Sequence, residues 1–346
     1  MTLTREFLLG KTLDELAATV TAFGLPAFTA KQIADWLYKK HTADIESMTN
    51  LSKTARVKLG ERFEVGGIMP SAVQTSADGT RKYLFPTHGG QAIETVMIPD
   101  ADRATLCVSS QAGCRMGCRF CMTARQGFQA HLPAGEIINQ CRNVAERDRL
   151  TNIVFMGMGE PMDNIDEVLK SLLILTSPWG FAWSPRRITV STIGILPAMK
   201  RFLDESECHL AVSLHNPFDD ERLEFMPLQK AYPIEKVIDL IRQYDFSGQR
   251  RVSFEYILFD RRNDTPHHVN ALAKMLHGLE CRVNLIRFHT IPDCTLLPTP
   301  DSGVERFKNL LMARGVMTTI RASRGQDIMA ACGMLGANRD KIAGQG

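Results

Sequence analysis

The sequence has no apolar run of about 18 residues, the length a membrane-crossing helix needs. Its first residues, Met1-Thr-Leu-Thr-Arg-Glu-Phe7, lack the basic stretch, apolar stretch and small-residue cleavage site of a secretory leader. The expectation is a soluble, cytoplasmic protein with no membrane partner. Nor is there an even, regularly spaced set of cysteines. Nine cysteines, an odd number at irregular spacing, exclude a secreted disulfide framework and point to thiols used as ligands or reagents in a reducing compartment. Net charge is also small. At +3, composition does not identify a nucleic-acid binder, and the pairs Arg186/Arg187, Arg250/Arg251 and Arg261/Arg262 read as solvated surface as readily as local positive patches. Internal repeats and low-complexity tracts are absent. What is present is 346 residues with 44% hydrophobic content, enough to bury a sizeable core as one large domain or two smaller ones.

The first 60 or so residues read as helical. Thr12-Leu-Asp-Glu15 matches a capping box, and Gly24 suits the end of the helix it opens. Thr29-Ala-Lys-Gln32 repeats the box before an apolar face of Ile33, Trp36 and Leu37. Lys39-Lys40-His41 then falls near the helix end, where positive charge is favourable. A third short helix follows Asn50. From about Met69 to Ser110 the pattern changes to short β-rich runs with turn signals at Asp78-Gly79 and Gly89-Gly90, as in hairpins or a small sheet.

Beyond Ser110, apolar strand-like runs alternate with helical stretches: Asn152–Met156, Arg187–Ser191, His209–Leu214, Arg251–Leu258, Arg282–Phe288 and Met317–Arg321. Such alternation predicts parallel strands joined by right-handed crossovers. With Ala104–Ser110 added, the fold class is α/β: a partial (β/α) barrel of the TIM type, with an N-terminal helical accessory domain (1–68), a β-rich connecting segment (69–103) and the barrel itself (104–346). Functional groups of such a sheet gather at the C-terminal ends of the strands.

Three thiols stand there within eight residues, in the run Cys114-Arg-Met-Gly-Cys118-Arg-Phe-Cys121. The C-x3-C-x2-C spacing with no fourth cysteine nearby suits a [4Fe–4S] cube, which takes one thiolate per iron and here keeps one iron open. Zinc competes for such ligands, but a structural zinc site closes with four, and His88 and His131 are single and outside the run. The remaining reading is three small hydrophobes in a core. Further motifs at strand ends are Gly157-Met-Gly-Glu160-Pro161, Ser191-Thr-Ile-Gly194 and Ser213-Leu-His215. Glycines let backbone polar groups approach a ligand closely, and a carboxylate accepts hydrogen bonds from a ribose or an ammonium group. Taken alone, GMGEP is equally a tight turn leading into a helix.

With the cysteine run at one strand end and GMGEP at the next, the chain resembles the radical S-adenosylmethionine (SAM) superfamily. Over nearly its whole length it is similar to the RlmN/Cfr family of radical-SAM RNA adenosine methyltransferases, on the RlmN side. The segments that carry the likeness are the N-terminal helices, Gln91-Ala-Ile-Glu94-Thr-Val-Met-Ile-Pro99, Cys107-Val-Ser-Ser-Gln-Ala-Gly-Cys114, GMGEP, Arg187-Ile-Thr-Val-Ser191-Thr, Ser213-Leu-His215-Asn and Arg321-Ala-Ser-Arg-Gly-Gln-Asp-Ile-Met-Ala-Ala-Cys332-Gly-Met-Leu335. The last is the most specific, because a radical-SAM enzyme of another kind needs no cysteine there.

The resemblance implies a [4Fe–4S] cluster on Cys114, Cys118 and Cys121, with SAM chelating the open iron and consumed twice per turnover. It implies that Cys332 is methylated, that a 5′-deoxyadenosyl radical takes hydrogen from the S-methyl group, and that the carbon radical adds to C2 of adenine. Glu94 is then the proton acceptor, and Cys107 resolves the crosslink by attacking the Cys332 sulfur, leaving a transient disulfide. Adenine C2 is electron-poor and no nucleophile towards SAM, so the cofactor carries the hard step. The implied SAM contacts are Gly159, Glu160, Ser191, Ser213, Leu214 (through its backbone) and His215. His289 stands where the family commonly has Asn. The implied substrates are 23S rRNA at the peptidyl-transferase centre and transfer RNA at adenosine 37, flipped into the pocket, with an external electron donor such as flavodoxin or ferredoxin. A monomer is expected.

Read without the resemblance, Glu94 is a solvent-facing strand carboxylate, Cys107 and Cys332 are packed thiols, and His289 is a surface histidine. Lys39, Lys40 and His41 are then a solvated helix end, and with the resemblance an additional RNA contact. Cys141, Cys208, Cys281 and Cys294 match no functional position. Two other activities stay open: Cfr-type methylation at adenine C8, and a non-enzymatic cluster-binding or electron-transfer module.

Overall fold

The computed structural model describes residues 5–248 and 250–336; residues 1–4 and 337–346, at the ends of the first and last spans assigned from sequence, lie outside the described residues. Strand β1 (Glu6–Phe7) leads into helices α1 (Leu13–Ala22), α2 (Thr29–Tyr38) and α3 (Lys53–Arg62), and β2 (Phe63–Glu64) returns to pair with β1 in parallel. The capping box at α1 forms as read: the Thr12 hydroxyl accepts from Glu15 N, and Thr12 N donates to the Glu15 carboxylate at 2.7 Å.

The box read at α2 does not form. Thr29 is already inside the helix and buried, and the cap position belongs to Phe28, because Thr29 N and Ala30 N bond back to the carbonyls of Pro26 and Ala27. A turn set by Pro26 starts the helix earlier than the Thr-x-x-Gln pattern does. His41 also departs from expectation. Burial, then the charges of Arg142 and Arg147, push its pKa down to about 4, so the ring is neutral at physiological pH. Lys39 and Lys40 both lie beside Asp35, and the Lys40 ammonium sits 4.0 Å from the Trp36 ring centroid.

Strands β3 (Ala72–Thr75), β4 (Arg81–Pro86), β5 (Ala92–Asp100) and β6 (Arg103–Cys107) form an antiparallel meander through the turns read at Gly79 and Gly90. β7 (Gln111–Gly113) pairs with β8 (Phe128–His131) across the cysteine run and the short helix α4 (Met122–Arg125), and α5 (Ala134–Arg142) follows. The remaining strands and helices alternate: β9 (Asn152–Phe155), α6 (Ile165–Thr176), β10 (Ile188–Thr192), α7 (Leu196–Glu205), β11 (His209–Ser213), α8 (Asp219–Phe225), α9 (Ile234–Ile241), β12 (Val252–Leu258), α10 (Pro266–Leu276), β13 (Cys281–Arg287), α11 (Asp301–Met312) and β14 (Thr318–Ile320).

β6 and β9 to β14 pair in parallel in sequence order, and the meander continues the same ten-stranded sheet at the β6 side. No pairing joins β14 back to the other edge among the described residues, so the barrel is partial. One strand face packs under the helices through residues such as Ile153, Phe155, Ile188 and Val190. The same core continues into the N-terminal helices through Leu16, Ile33, Leu37 and Leu59.

Candidate active site

The three cysteines follow β7, and all three line one cavity of about 150 Å³ with residues from the ends of β9, β10, β11 and β12. Burial raises all three thiols; Cys121 further raises Cys114 and Cys118, Cys114 raises Cys118, and Cys332 raises Cys121. Cys114 reaches about 12 and Cys118 is raised well above the usual value, with the Arg222 guanidinium opposing this. Thiols so desolvated deprotonate only when a metal takes their charge, which suits them to ligation and not to free thiolate chemistry. A cube spreads its cysteine-bearing irons over separate corners, so the set fits a cluster.

GMGEP forms the turn after β9. Gly159 has φ +98, and a Cβ there would lie 2.5 Å from Gln111 Cβ; a Cβ on Gly157 would lie 2.7 Å from the Val108 carbonyl oxygen. The glycines therefore serve a close backbone approach. Glu160 is buried, and burial brings its carboxyl up to about 7 although it accepts hydrogen bonds from the Thr192 side chain, Met162 N and Ile193 N. Gln111, which the sequence reading passed over, fixes the turn by accepting from Glu160 N at 2.8 Å.

Ser191, Ser213 and His215 all line the cavity. The His215 Nδ1 accepts from Ile257 N at 3.0 Å, and burial together with Arg222 lowers its pKa to about 3, so the neutral ring carries its proton on Nε2. Two expected contacts are placed differently. Leu214 is fully buried and does not line the cavity: its N–H donates to the Glu255 carbonyl and its carbonyl accepts from Arg222 Nε. His289 lies beyond the wall, with Nε2 3.0 Å from Ser323 Oγ, and Ile286 lines the cavity from that strand.

Cys332 comes from the far end of the chain and faces the same cavity. Its loop is anchored on both sides. Upstream, Gly325 N donates to Asp78 Oδ2 and Asp327 accepts from Ser76 Oγ and Ala77 N. Downstream, Met122 N donates to the Gly333 carbonyl and Thr123 Oγ1 to that of Leu335. The Asp78 carboxyl experiences some burial, but the N–H groups of Gly325 and Thr80 and nearby hydroxyls outweigh it and bring its pKa down to about 2. The sign follows: this anchor is fully present above the ordinary aspartate pKa of about 4 and fades as pH falls through about 2. In an Asp78→Ala variant, amide hydrogen exchange should rise several-fold in 325–336 and in the 76–80 turn, with the barrel strands unchanged. Exchange equal to that of the unaltered chain would show that Asp78 anchors nothing.

Glu94 and Cys107 stand on neighbouring strands just behind this wall. Cys107 pairs directly with Val96, two residues along β5 from Glu94, so alternation puts both side chains on one face. Glu94 is buried, not solvent-facing: Oε1 meets Lys82 Nζ at 3.1 Å and Oε2 accepts from Gly336 N at 2.8 Å. The Cys107 thiol is pushed up to about 12 by burial and then by Cys332, with Arg321 opposing. Arg321 joins these groups. It hydrogen-bonds Cys332, lies 3.5 Å from Glu255 and places Nη1 3.2 Å from Met156 Sδ; Glu255 foremost, then both thiols, keep it protonated against burial. Neither Lys82 nor the Arg321–Glu255 pair was singled out from sequence. Arg321 only opened the quoted C-terminal segment, and Lys82 has no local signal. Cys141 and Cys208 are buried away from the cavity, Cys281 is half-buried at the start of β13, and Cys294 lies on the outer side of the cysteine loop, its Sγ 3.8 Å from the Arg119 carbonyl.

Two family models match: "Radical SAM superfamily" over residues 108–275 and "Ribosomal RNA large subunit methyltransferase N-terminal domain" over 7–65. A probable dual-specificity RNA methyltransferase RlmN from Parabacteroides distasonis is 58% identical over 328 residues, covering 95% of this chain and 96% of that protein. The dual-specificity RNA methyltransferase RlmN of Syntrophotalea carbinolica is 41% identical, covering 94% and 88%. The crystal structure of a radical SAM methyltransferase from Sphaerobacter thermophilus superimposes with a TM-score of 0.90 at 42% identity, covering 96% and 99%. With likeness at this level over both the helical segment and the barrel, the chain belongs to the RlmN family of radical SAM RNA methyltransferases.

Proposed function

We propose that this protein methylates C2 of adenosine in 23S rRNA, at the peptidyl-transferase centre, and in transfer RNA, at adenosine 37, through a methyl group carried on Cys332. The observation that carries the reading is that Cys332 opens onto the same cavity as Cys114, Cys118 and Cys121, more than 200 residues away in the chain. The dual specificity in the relatives' names agrees with two RNA classes as substrates.

Cys114, Cys118 and Cys121 hold a [4Fe–4S] cluster, and Gly159, Glu160, Ser191, Ser213 and His215 hold SAM. When bound, these groups supply the 5′-deoxyadenosyl radical, using electrons from an external donor such as flavodoxin or ferredoxin and two SAM molecules per turnover. The chain's own groups do the rest. Cys332 Sγ takes the methyl group, and its carbon is joined to adenine C2. Glu94 removes the C2 proton, its carboxylate positioned by Lys82 Nζ at 3.1 Å. Cys107 frees the product by attacking Cys332 Sγ. Arg321, which faces both thiols, stabilises the thiolate that attacks.

Residues 1–68 serve as an RNA-contacting accessory domain, 69–103 as the connecting segment and 104–346 as the catalytic barrel, acting as a cytoplasmic monomer. In the accessory domain Lys39 and Lys40 are the exposed cations offered to phosphate, while neutral His41 contributes no charge.

The test is anaerobic reconstitution with iron and sulfide, incubation with SAM, a reductant and each RNA, and location of the methyl group by mass spectrometry of digested RNA. Methyl at adenine C2 is the expected result. Methyl at C8 would move the activity to the Cfr type, and a reconstituted protein that cleaves no SAM would leave only an electron-transfer module.

A further inference from the structure

The end of the barrel opposite Cys332 is open and cationic. Alternation along the strands sends Ile153, Phe155, Ile188 and Val190 under the helices and turns Thr105, Asn152, Thr189, Ser253 and Asn284 towards the bore. In closed barrels of this type the interior is filled by bulky branched side chains. Here it is a polar cavity of about 1040 Å³, entered at the N-terminal ends of the strands. Its floor is Met156 and Arg321, which also line the cysteine cavity on the other side.

Besides Arg321 in the floor, four arginines line this rear bore: Arg103 at the start of β6, Arg186 before β10, Arg251 before β12 and Arg282 on β13. They arrive on four separate strands or strand approaches, so the chain's topology, not local sequence, gathers them. None of the four guanidinium groups has a carboxylate partner among the described residues; Arg282 meets only Met317 Sδ, at 3.6 Å. Glu280 is the one acidic residue of the lining. Between them His209 is locked in the neutral form by geometry, its Nδ1 accepting from Arg251 N at 3.0 Å while the ring also bonds the Arg186 backbone. Deeper in, the hydroxyls of Thr105 and Thr189 make no hydrogen bond to another described residue.

We propose that the rear bore is a binding site for phosphate groups. Four exposed like charges around one mouth repel one another and sum to a positive potential there, so the arrangement is stabilised by an anion. Guanidinium forks match the oxygens of phosphate bidentately, and converging from several strands they suit a polyanion with many oxygens rather than a lone carboxylate. Free hydroxyls below the mouth donate further hydrogen bonds to the same oxygens. The chemistry is shared by an RNA backbone and by free polyphosphate, and nothing in it depends on methyl transfer.

The probe is inorganic pyrophosphate, titrated by calorimetry into three full-length proteins: the unaltered chain, the Arg251→Gln/Arg282→Gln double variant and a Lys236→Gln/Lys274→Gln double variant with the same loss of charge on α9 and α10. The unaltered chain should bind saturably, with affinity falling steeply as salt rises. The arginine variant should bind at least about tenfold more weakly while the lysine variant stays within about twofold. No saturable binding, or equal weakening in both variants, overturns the site. Circular dichroism melting checks that the variants are folded. Repeating the titration with transfer RNA bound separates the sources: displacement by pyrophosphate assigns the bore to the RNA backbone, and independent binding assigns it to a free phosphate compound. SAM cleavage, measured alongside, should be equal in all three proteins, and its failure would count against the proposed function alone.

Discussion

A chain carrying Cys332→Ala should bind its cluster and cleave SAM yet transfer no methyl group to RNA, a loss down to background. In the proposed reaction Cys332 carries the methyl group and ligates no iron, so removing its sulfur leaves the cluster ligands untouched. Cys332 lies on a loop whose anchors are backbone and side-chain bonds of Gly325, Asp327, Gly333 and Leu335, none of which uses the thiol. The substitution therefore should not collapse the loop, and Arg321, relieved of one partner, keeps Glu255. SAM with a labelled methyl group should mark a Cys332 peptide in the unaltered chain and no cysteine in the variant. Retained methyl transfer by Cys332→Ala, with label on another cysteine, would reject the carrier role.

The parallel half of the fold was legible because its strands are short apolar runs bounded by turns. The run read as Asn152–Met156 is β9 at Asn152–Phe155, and that read as Arg251–Leu258 is β12 at Val252–Leu258. Openness of the barrel was also anticipated. The α2 start was misread because a capping pattern reports local competition for backbone donors, whereas Pro26 and the burial of Thr29 fixed the boundary from outside the pattern. His41 was read as charge because sequence gives residue type and not desolvation.

The site divides in the same way. Ligand spacing and GMGEP are local and could be read. Glu94 with Lys82, and Arg321 with Glu255, are pairings across strands far apart in the chain, which a single sequence does not display. Leu214 and His289 carried motif positions, but neither lines the cavity. The backbone of Leu214 is bonded to Glu255 and Arg222, and His289 lies in the segment after β13, beyond its last cavity-lining residue Ile286. The polar bore was invisible for a further reason: Thr105, Asn152, Thr189 and Ser253 look like the solvent faces of ordinary strands, and only the partial barrel brings them together.

Replacing Cys107 by alanine should give the opposite chemical outcome to the loss of Cys332: methyl loading and attack on adenine proceed, but protein and RNA stay joined. The proposed release step is attack of the Cys107 thiolate on Cys332 Sγ. A sulfur–sulfur bond forms, the bond from Cys332 Sγ to the transferred carbon breaks, and its electron pair takes a proton to complete the methyl group; a reductant then reopens the disulfide. The step makes a demand the surroundings oppose, since burial pushes the Cys107 thiol up to about 12. The group that answers it is Arg321, whose guanidinium faces both cysteines while Glu255 holds it in place. With alanine at 107 no thiolate remains, and the protein should be isolated with covalently attached RNA that nuclease trims to a nucleotide on Cys332. If Cys107 were only a packed strand residue, the same substitution would cost roughly 1 kcal/mol of stability and leave turnover unchanged. Gel mobility before and after nuclease, with peptide mass mapping, separates the two, and normal turnover without a crosslinked species would reject the resolving role.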